Sequence, residues 1–583
     1  MIHIQTSAYY PNMNDSDRHF TYPPRARQTE TCNRGNECYQ RHISSLTKRC
    51  WDYYEHSHCQ RSEFRHRRPK SSLYTGSLGP CSYLRYQFAT SPCFSELDFT
   101  SQSESSHGEG KETKATKYRI DASGGTPPPS VTSASSKVQR ARWQMLVDAR
   151  SSADTVHRQH RQEKDSIEQR VTLLEGELVG ALAMKIVIGN AMLDLIDNGV
   201  DIPNHTDFSE IKDEVECCKM QLLQFGESHV LSSLHPSECE VLYGRAGYLK
   251  AIQFVRREIS DDSYGQEMVR HVLAQIWNEG KRGAAEERRL HANHDDGMTS
   301  LPLVWKWHSK LYLGAAHGIV GILHTLLDFE DELTSIDGNA LIIIEATVLK
   351  LNEYCFKSGN LQSSIASASG ITGNMKKTDR LVQFCHGAPG HILLLVHFFR
   401  NKLLGDRHQL RLEQKHHLIH KTCHPSQGTP KSASMTAHHY QIKAQQIAEC
   451  VLLPRGLLRK GVGLCHGISG NAFCFMAIYD AAILDMKMTM PSKLKSKNTF
   501  GGTTSKSNTT ATTSDSDAEK WLGYTYNYVN AALDNLVDLE RIPDRPYSLY
   551  EGLGGLICLL LNLIERDDDA GPRVDGQFPC FAF

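Results

Sequence analysis

Pairs of glycines separated by two residues recur along this chain of 583 residues. One such pair would indicate only a tight turn. Seven near-periodic copies, the second of them one residue longer, lie at Gly76–Gly79, Gly176–Gly180, Gly244–Gly247, Gly318–Gly321, Gly387–Gly390, Gly467–Gly470 and Gly552–Gly555. Most copies are about 70 to 85 residues apart, which leaves room for two helices with their loops and indicates a repeated unit.

Each glycine pair opens a helical pattern. After Gly247 apolar residues recur at helical spacing, and after Gly390 and Gly554 almost every residue is apolar, which indicates helices buried on all sides. The sequence therefore predicts an all-α fold, a seven-fold α/α toroid with buried helices inside and amphipathic helices outside, over residues 70–583. The glycines then lie where the inner helices begin, and a ligand can approach the backbone closely there.

Four segments interrupt or precede the repeat. Residues 1–60 are rich in Arg, His, Tyr and Ser without a sustained period, and we expect a poorly ordered N-terminal segment. Low-complexity insertions are predicted at about 101–165, 403–440 and 490–518, the first of which includes a charged helical stretch from 136 onward. None of these segments is expected to carry the function.

Charge and cysteine usage limit the class of protein. With 65 basic and 66 acidic residues, the net charge of -1 provides no field that would attract nucleic acid. The 17 cysteines follow no disulfide framework and no signal peptide begins the sequence, so we expect a cytoplasmic protein. The apolar runs 392–399 and 553–564 are shorter than the roughly 20 residues of a membrane span, so no transmembrane segment is predicted. Peripheral membrane association is left open.

A metal site is predicted where two of the glycine loops carry cysteine. Cys465 and His466 are adjacent, and Gly467 allows the backbone turn that would let both reach one ion. Cys385 begins the equivalent loop of the preceding repeat, so a ring brings it beside them. Three soft ligands with an open fourth position suit a reactive zinc ion, and we expect one zinc per chain. His386 is equivalent to His466, but we assign it to the surroundings of the ligands.

At these motifs the chain resembles the lanthionine synthetase C-like (LanC-like) family, in its eukaryotic glutathione-binding type. The resemblance spans roughly residues 70 to 583, and the paired Cys-His-Gly motifs are its most specific part. Its stretches are LYTGSLG at 73–79, LYGRAGY at 242–248, WKWHSKLYLGAAHG at 305–318, FCHGAPG at 384–390, GLLRKGVGLCHGISGNAFCF at 456–475 and PYSLYEGLGG at 546–555. The resemblance implies a seven-fold α/α barrel with a central zinc ion held by Cys385, Cys465 and His466.

Zinc-dependent thiol transfer is the activity that the resemblance implies. Bacterial members add a peptide thiol to a dehydroamino acid, and eukaryotic members resemble proteins that add glutathione to such groups in damaged proteins. Glutathione and modified peptides or proteins are therefore the expected partners. The resemblance also implies His317 as proton donor, Glu240 as the residue that orients it or relays the proton, and Lys460 and Arg541 as cations for glutathione carboxylates.

Two other functions remain open at this point. A non-catalytic zinc- and glutathione-binding adaptor or signalling protein would keep the same ligands and cations but show no turnover. Glycoside hydrolases also use α/α barrels, but they need two carboxylates on either side of the scissile bond. Glu240 and Glu551 are the carboxylates near the loops, and no glycosidase requires a Cys-Cys-His centre, so that reading is disfavoured.

Overall fold

In the computed structural model of this chain, helices alternate between an outer and an inner layer. Seven of each are present in the described residues, which are 36–59, 71–96, 131–162, 170–200, 208–291, 301–365, 378–419, 437–489, 513–567 and 578–579. The outer helices are Asn36–Cys59, Val131–Gln162, Phe208–Phe225, Gln266–His291, Ala340–Leu351, Ala437–Ile447 and Thr513–Asp534. The inner helices are Leu84–Thr90, which continues the π-helical turn Leu78–Tyr83, then Glu177–Asp197, Arg245–Glu258, Ile319–Leu327, Ala388–Ile419, Ile468–Thr489 and Leu553–Asp567.

Short elements complete the connections. A two-stranded antiparallel sheet pairs Leu311–Tyr312 with Ser364–Ile365. The remaining turns of helix are Pro92–Glu96, Gly226–Leu231, Glu330–Ile336, Asn352–Tyr354, Ala448–Leu452, Leu453–Arg455 and Leu536–Glu540. The predicted all-α toroid is therefore confirmed in its helical content and in its repeat.

Backbone hydrogen bonds join the loops that precede the inner helices into a ring. Six of the seven loops donate an amide N–H to a carbonyl of a neighbouring repeat, at Tyr74 to Leu174, Leu173 to Gly247, Val241 to Ala316, Cys385 to Cys465, Cys465 to Tyr550 and Tyr550 to Tyr74, over 2.8 to 3.3 Å. At the remaining interface Gly314 packs directly on the Cys385 carbonyl, where an added Cβ would lie 2.1 Å from the oxygen. The last loop bonds to the first, so the ring is closed.

The second glycine of each pair is where the inner helix touches its own loop. A Cβ added at Gly247 would lie 2.0 Å from the Val241 carbonyl oxygen, six residues earlier, and one at Gly470 would lie 1.9 Å from that of Leu464. At Gly180 the corresponding oxygen belongs to Leu173, seven residues earlier, at 3.1 Å. The extra residue of the second repeat is therefore absorbed by a longer loop, and the contact itself is kept.

The N-terminal segment differs from the prediction. Residues 36–59 form an outer helix that packs against the last inner helix, Leu553–Asp567. Tyr39 is buried and stacks on Tyr526, and Tyr53 stacks on Tyr547 with ring centroids 4.5 Å apart. The helix thus covers the junction between the two ends of the ring. The helix has an apolar face that its Arg- and His-rich composition did not indicate. Residues 1–35 lie outside the described part of the chain.

The insertions are also shorter than predicted. Residues 131–162, inside the stretch assigned to an insertion, form the second outer helix, as the helical expectation from 136 onward indicated. Residues 403–419 continue an inner helix and 437–440 begin an outer one, where a loop was expected. Residues 513–518 belong to the last outer helix. The predicted stretches 101–130, 420–436 and 490–512 lie outside the described residues.

One inner helix, Glu177–Asp197, is long and apolar enough to cross a membrane by composition, a feature that the sequence reading missed. In the structure 72% of its apolar window is buried. The residues from Ala181 to Ile188 are all buried between the neighbouring helices of the ring. Its apolar character is thus accounted for by its position in the inner layer.

Replacing Gly247 with alanine tests the contact between inner helix and loop. We expect a loss of about 1–3 kcal/mol in the free energy of unfolding, because the Cβ meets backbone that cannot move without shifting the ring. Thermal and urea unfolding followed by circular dichroism measure it. Gly338→Ala is the matched control, since nothing lies within 4 Å of an added Cβ there. Equal stability of the two variants would contradict this role of the glycines.

Candidate metal centre

Two neighbouring loops of the ring bring the three predicted ligands together. The Cys385 amide donates to the Cys465 carbonyl over 3.3 Å, which fixes the loop before Ala388–Ile419 against the loop before Ile468–Thr489. The ligand atoms of Cys385, Cys465 and His466 all lie within 4.8 Å of one another. Both cysteines are buried. The structure therefore brings Cys385 together with Cys465 and His466.

The chemistry of this group fits zinc. Ligand atoms in a tetrahedral zinc site lie about 3.5 Å apart, so the separation here needs little adjustment. The hydrogen bond from the Cys465 thiol, joined by the nearby His386 and His466, holds the pKa of Cys385 well below its usual range despite burial. Sharing that proton raises the pKa of Cys465. Two cysteine sulfurs and one imidazole nitrogen form a donor set that suits zinc, and cysteine binds a metal as its thiolate.

Each cysteine receives a further hydrogen bond from a residue that the sequence did not single out. The amide of Gln383 lies with Nε2 3.1 Å from the Cys385 sulfur. The hydroxyl of Tyr74 bonds to Cys465, and burial raises the pKa of this tyrosine well above its usual value, so that it remains a donor. The two cysteine sulfurs therefore accept hydrogen bonds from different uncharged groups, an amide and a phenol hydroxyl.

His317 and Glu240 form a pair at the edge of this centre. His317 Nδ1 lies 2.8 Å from Glu240 Oε2. The Glu240 carboxylate is 1% exposed and also accepts the backbone N–H groups of Leu242 and Tyr243. Because these bonds hold the carboxylate still, it fixes the orientation of the imidazole and leaves Nε2 for proton exchange. The structure thus brings the two predicted catalytic residues together.

Aromatic rings hold His317 in place. Trp307 stacks on the imidazole with centroids 4.2 Å apart and planes 3° from parallel. Trp307 pairs with Lys310 across a turn whose two residues, His308 and Ser309, have positive φ angles of 46° and 61°. His386 lies on the ligand side, with its ring 6.4 Å from that of His317. Burial lowers the pKa of His386, which favours the neutral form of its ring.

The two predicted glutathione cations are placed differently. Lys460 is half-buried, and its Nζ donates to Gln383 Oε1 over 3.1 Å, so it is connected to the metal centre. Arg541 is exposed and follows the short helix Leu536–Glu540. The two loops are neighbours, because a Cβ at Gly461 would lie 2.7 Å from Pro543. The structure gives no contact between Arg541 and the centre.

A signal for one of the missed residues was present in the sequence. Tyr74 follows a leucine before its glycine pair, as Tyr243 and Tyr550 do before theirs, so a recurring tyrosine marked the loops of the ring. Tyr74 and Tyr550 stack on each other with centroids 4.5 Å apart. Gln383 had no such signal, because a single glutamine two residues before a cysteine recurs nowhere in the pattern.

A second group of metal-ligand residues lies between three inner helices. Ligand atoms of His324, Asp328 and His397 lie within 4.8 Å of one another. The ammonium of Lys250 is 2.6 Å from Asp328 Oδ2 and 3.0 Å from His324 Nδ1, and so it takes the place of a cation. Burial raises the pKa of Asp328 to about 6, and it lowers the pKa of both histidines. We therefore describe this group as a buried ion pair.

Lys250→Met tests this description. Removing one partner of a buried ion pair leaves a carboxylate without compensation, so we expect a loss of about 3–5 kcal/mol in the free energy of unfolding. Adding Asp328→Leu to this variant should restore part of the lost free energy of unfolding. Lys281→Met is the control, because its ion pair with Asp337 is exposed and should contribute at most about 1 kcal/mol. A Lys250→Met protein as stable as this control, measured by urea unfolding, would contradict the ion pair.

The chain is similar in sequence to known proteins. Residues 208–576 match the family described as lanthionine synthetase C-like protein. A Danio rerio protein named glutathione S-transferase LANCL1 is 26% identical over 368 residues, which cover 63% of this chain and 67% of that protein. An Arabidopsis thaliana protein named LanC-like protein GCL1 is 24% identical over 346 residues, which cover 59% of this chain but only 57% of that protein. The first two inner helices precede the matched region and continue the same repeat.

Proposed function

The chain belongs to the lanthionine synthetase C-like family, and we propose that it binds one zinc ion and adds the thiol of glutathione to electrophilic groups in peptides, such as dehydroamino acids. The convergence of Cys385, Cys465 and His466 carries this proposal. The name of the Danio rerio relative supports the choice of glutathione.

The residues present fit each part of such a reaction. Zinc, when bound, would keep a coordinated thiol in its thiolate form at neutral pH, where a free thiol is mostly protonated. Addition forms a C–S bond at the β-carbon of the acceptor, and the electrons of its double bond move onto the α-carbon and carbonyl. We assign the return of a proton to that carbon to His317, and its contact with Glu240 supports this role.

Cations near the centre suit the carboxylates of glutathione. We assign this role to Lys460, beside Cys385 through Gln383, and to Arg541, in the adjacent loop. None of the cysteines whose side chains the structure describes forms a disulfide, which supports a reducing, cytoplasmic location for the reaction.

Metal content and adduct formation test the proposal together. We expect close to one zinc per chain by mass spectrometry of purified protein, and a glutathione adduct on a dehydrobutyrine-containing peptide. Cys465→Ala should lose both, because it removes one of three ligands. Cys474→Ala removes a buried thiol from the inner helix that follows Cys465 and His466 and leaves the three ligand residues unchanged. This variant should keep both the zinc and the adduct formation.

Other outcomes separate the competing readings. Zinc without any adduct would favour a non-catalytic zinc- and glutathione-binding protein that acts through partners. Folded wild-type protein without zinc would show that the metal site, and with it the thiol chemistry, is wrong.

His317→Asn tests the proton donor. The rate of adduct formation should fall by about 10²- to 10⁴-fold, as is typical when a general acid is lost, while zinc content stays at the wild-type level. Glu240→Gln should lower the rate in the same direction, because the imidazole loses the carboxylate that orients it. Stopped assays with mass-spectrometric detection give the rates. A wild-type rate in His317→Asn would remove this residue from the mechanism.

A further inference from the structure

Gln383 is held rigidly beside the centre. Its backbone exchanges two hydrogen bonds with His386, over 3.2 and 3.1 Å, across an isolated β-bridge around Cys385. Its side chain is buried and lies with Nε2 3.1 Å from the Cys385 sulfur and Oε1 3.1 Å from Lys460 Nζ. One amide therefore touches a predicted metal ligand and a predicted glutathione cation at once.

The orientation of this amide follows from its two neighbours. An ammonium group has only donors, so the carbonyl oxygen must face Lys460. The NH₂ group is then left to face Cys385, and a sulfur that carries negative charge accepts from it. The reversed amide would place N–H groups against an ammonium, so the observed arrangement is the only one that satisfies both contacts.

We propose that Gln383 is a positioning residue that couples the glutathione-binding cation Lys460 to the metal ligand Cys385. This inference rests on the proposed function of the centre. It adds a specific consequence, namely that binding of a glutathione carboxylate at Lys460 changes the charge on one of the two sulfurs.

The coupling has a simple electrostatic basis. The positive charge of Lys460 polarises the Gln383 amide, which strengthens the hydrogen bond that the amide donates to Cys385. That bond withdraws electron density from the sulfur. When a carboxylate neutralises Lys460, the polarisation decreases and the sulfur regains electron density. Groups that contact metal ligands in this way tune the ligands and orient them.

Tyr74 offers an internal comparison. Its hydroxyl bonds to Cys465, the other cysteine, and so influences a sulfur without the Lys460–Gln383 connection. A change at Tyr74 should alter the resting state of the centre but leave its response to a carboxylate ligand intact. A change at Gln383 should alter both the resting state of the centre and its response to a carboxylate ligand.

Cobalt substitution makes the charge on the sulfurs visible. The full-length protein is loaded with Co²⁺, and the sulfur-to-cobalt charge-transfer absorption is recorded while S-methylglutathione is added, whose blocked thiol cannot bind metal as a thiolate. In the wild type we expect the band to move to longer wavelength as Lys460 is neutralised. In Gln383→Leu the band should begin at longer wavelength and not respond, and zinc affinity measured by chelator competition should fall about 10- to 100-fold.

Tyr74→Phe is the matched control for these measurements. It should shift the resting band as well, yet still respond to S-methylglutathione. Gln383→Glu is the second variant in case the leucine variant does not fold. It retains an oxygen for Lys460 but has no N–H for sulfur, so its band should likewise not respond in the wild-type manner.

The outcomes distinguish this inference from the proposed function. Two results would overturn the inference alone. One is that the Gln383 variants have the resting band and the zinc affinity of the wild type. The other is that the bands of these variants respond to S-methylglutathione as the wild-type band does. Wild-type protein that binds metal but not S-methylglutathione would overturn the glutathione role and the coupling, although the resting bands would still report the hydrogen bond to Cys385. Wild-type protein that binds no metal would overturn both proposals.

Discussion

The closed ring of backbone contacts between loops, six made by hydrogen bonds and one by direct packing, is the constraint on which the rest of the structure depends. Every loop before an inner helix bonds to, or packs directly on, the loop of the next repeat, and the last returns to the first through Tyr550 and Tyr74. Backbone groups approach so closely only where no side chain intervenes, which is why glycine recurs at the contact between helix and loop. The recurring glycines therefore let the loops meet in one closed layer of backbone, and this layer sets where the seven described inner helices begin.

The candidate metal centre is a product of that ring. Cys385 and Cys465 each donate an amide to the next loop, so the positions of the two sulfurs follow from the same bonds that close the fold. His466 then reaches the group because it follows Cys465 directly. The surroundings are more individual, since Gln383 and Tyr74 contact different sulfurs and only Gln383 leads to a cation. A regular scaffold thus carries an asymmetric site.

Much of the fold could be predicted because it depends on local, repeated signals. Glycine spacing and continuous apolar runs identified the inner helices, and the apolar helix Glu177–Asp197 is explained by its place among them. The prediction failed where composition concealed an apolar face. Residues 36–59 read as a polar lead-in, yet Tyr39, Ile43 and Leu46 are buried against the other end of the chain. Their partners are some 500 residues away, so no local window could reveal them.

The sequence by itself determined the repeat, the helical class and the choice of the three candidate ligand residues, because these depend on residue type at fixed spacing. The tertiary structure decided which side chains meet. It placed His317 on Glu240, put the Gln383 amide between Lys460 and Cys385, and gave the His324, Asp328 and His397 group its own cation in Lys250. Such contacts join repeats about 70 to 80 residues apart, and they form only when closure of the ring fixes the orientation of neighbouring helices.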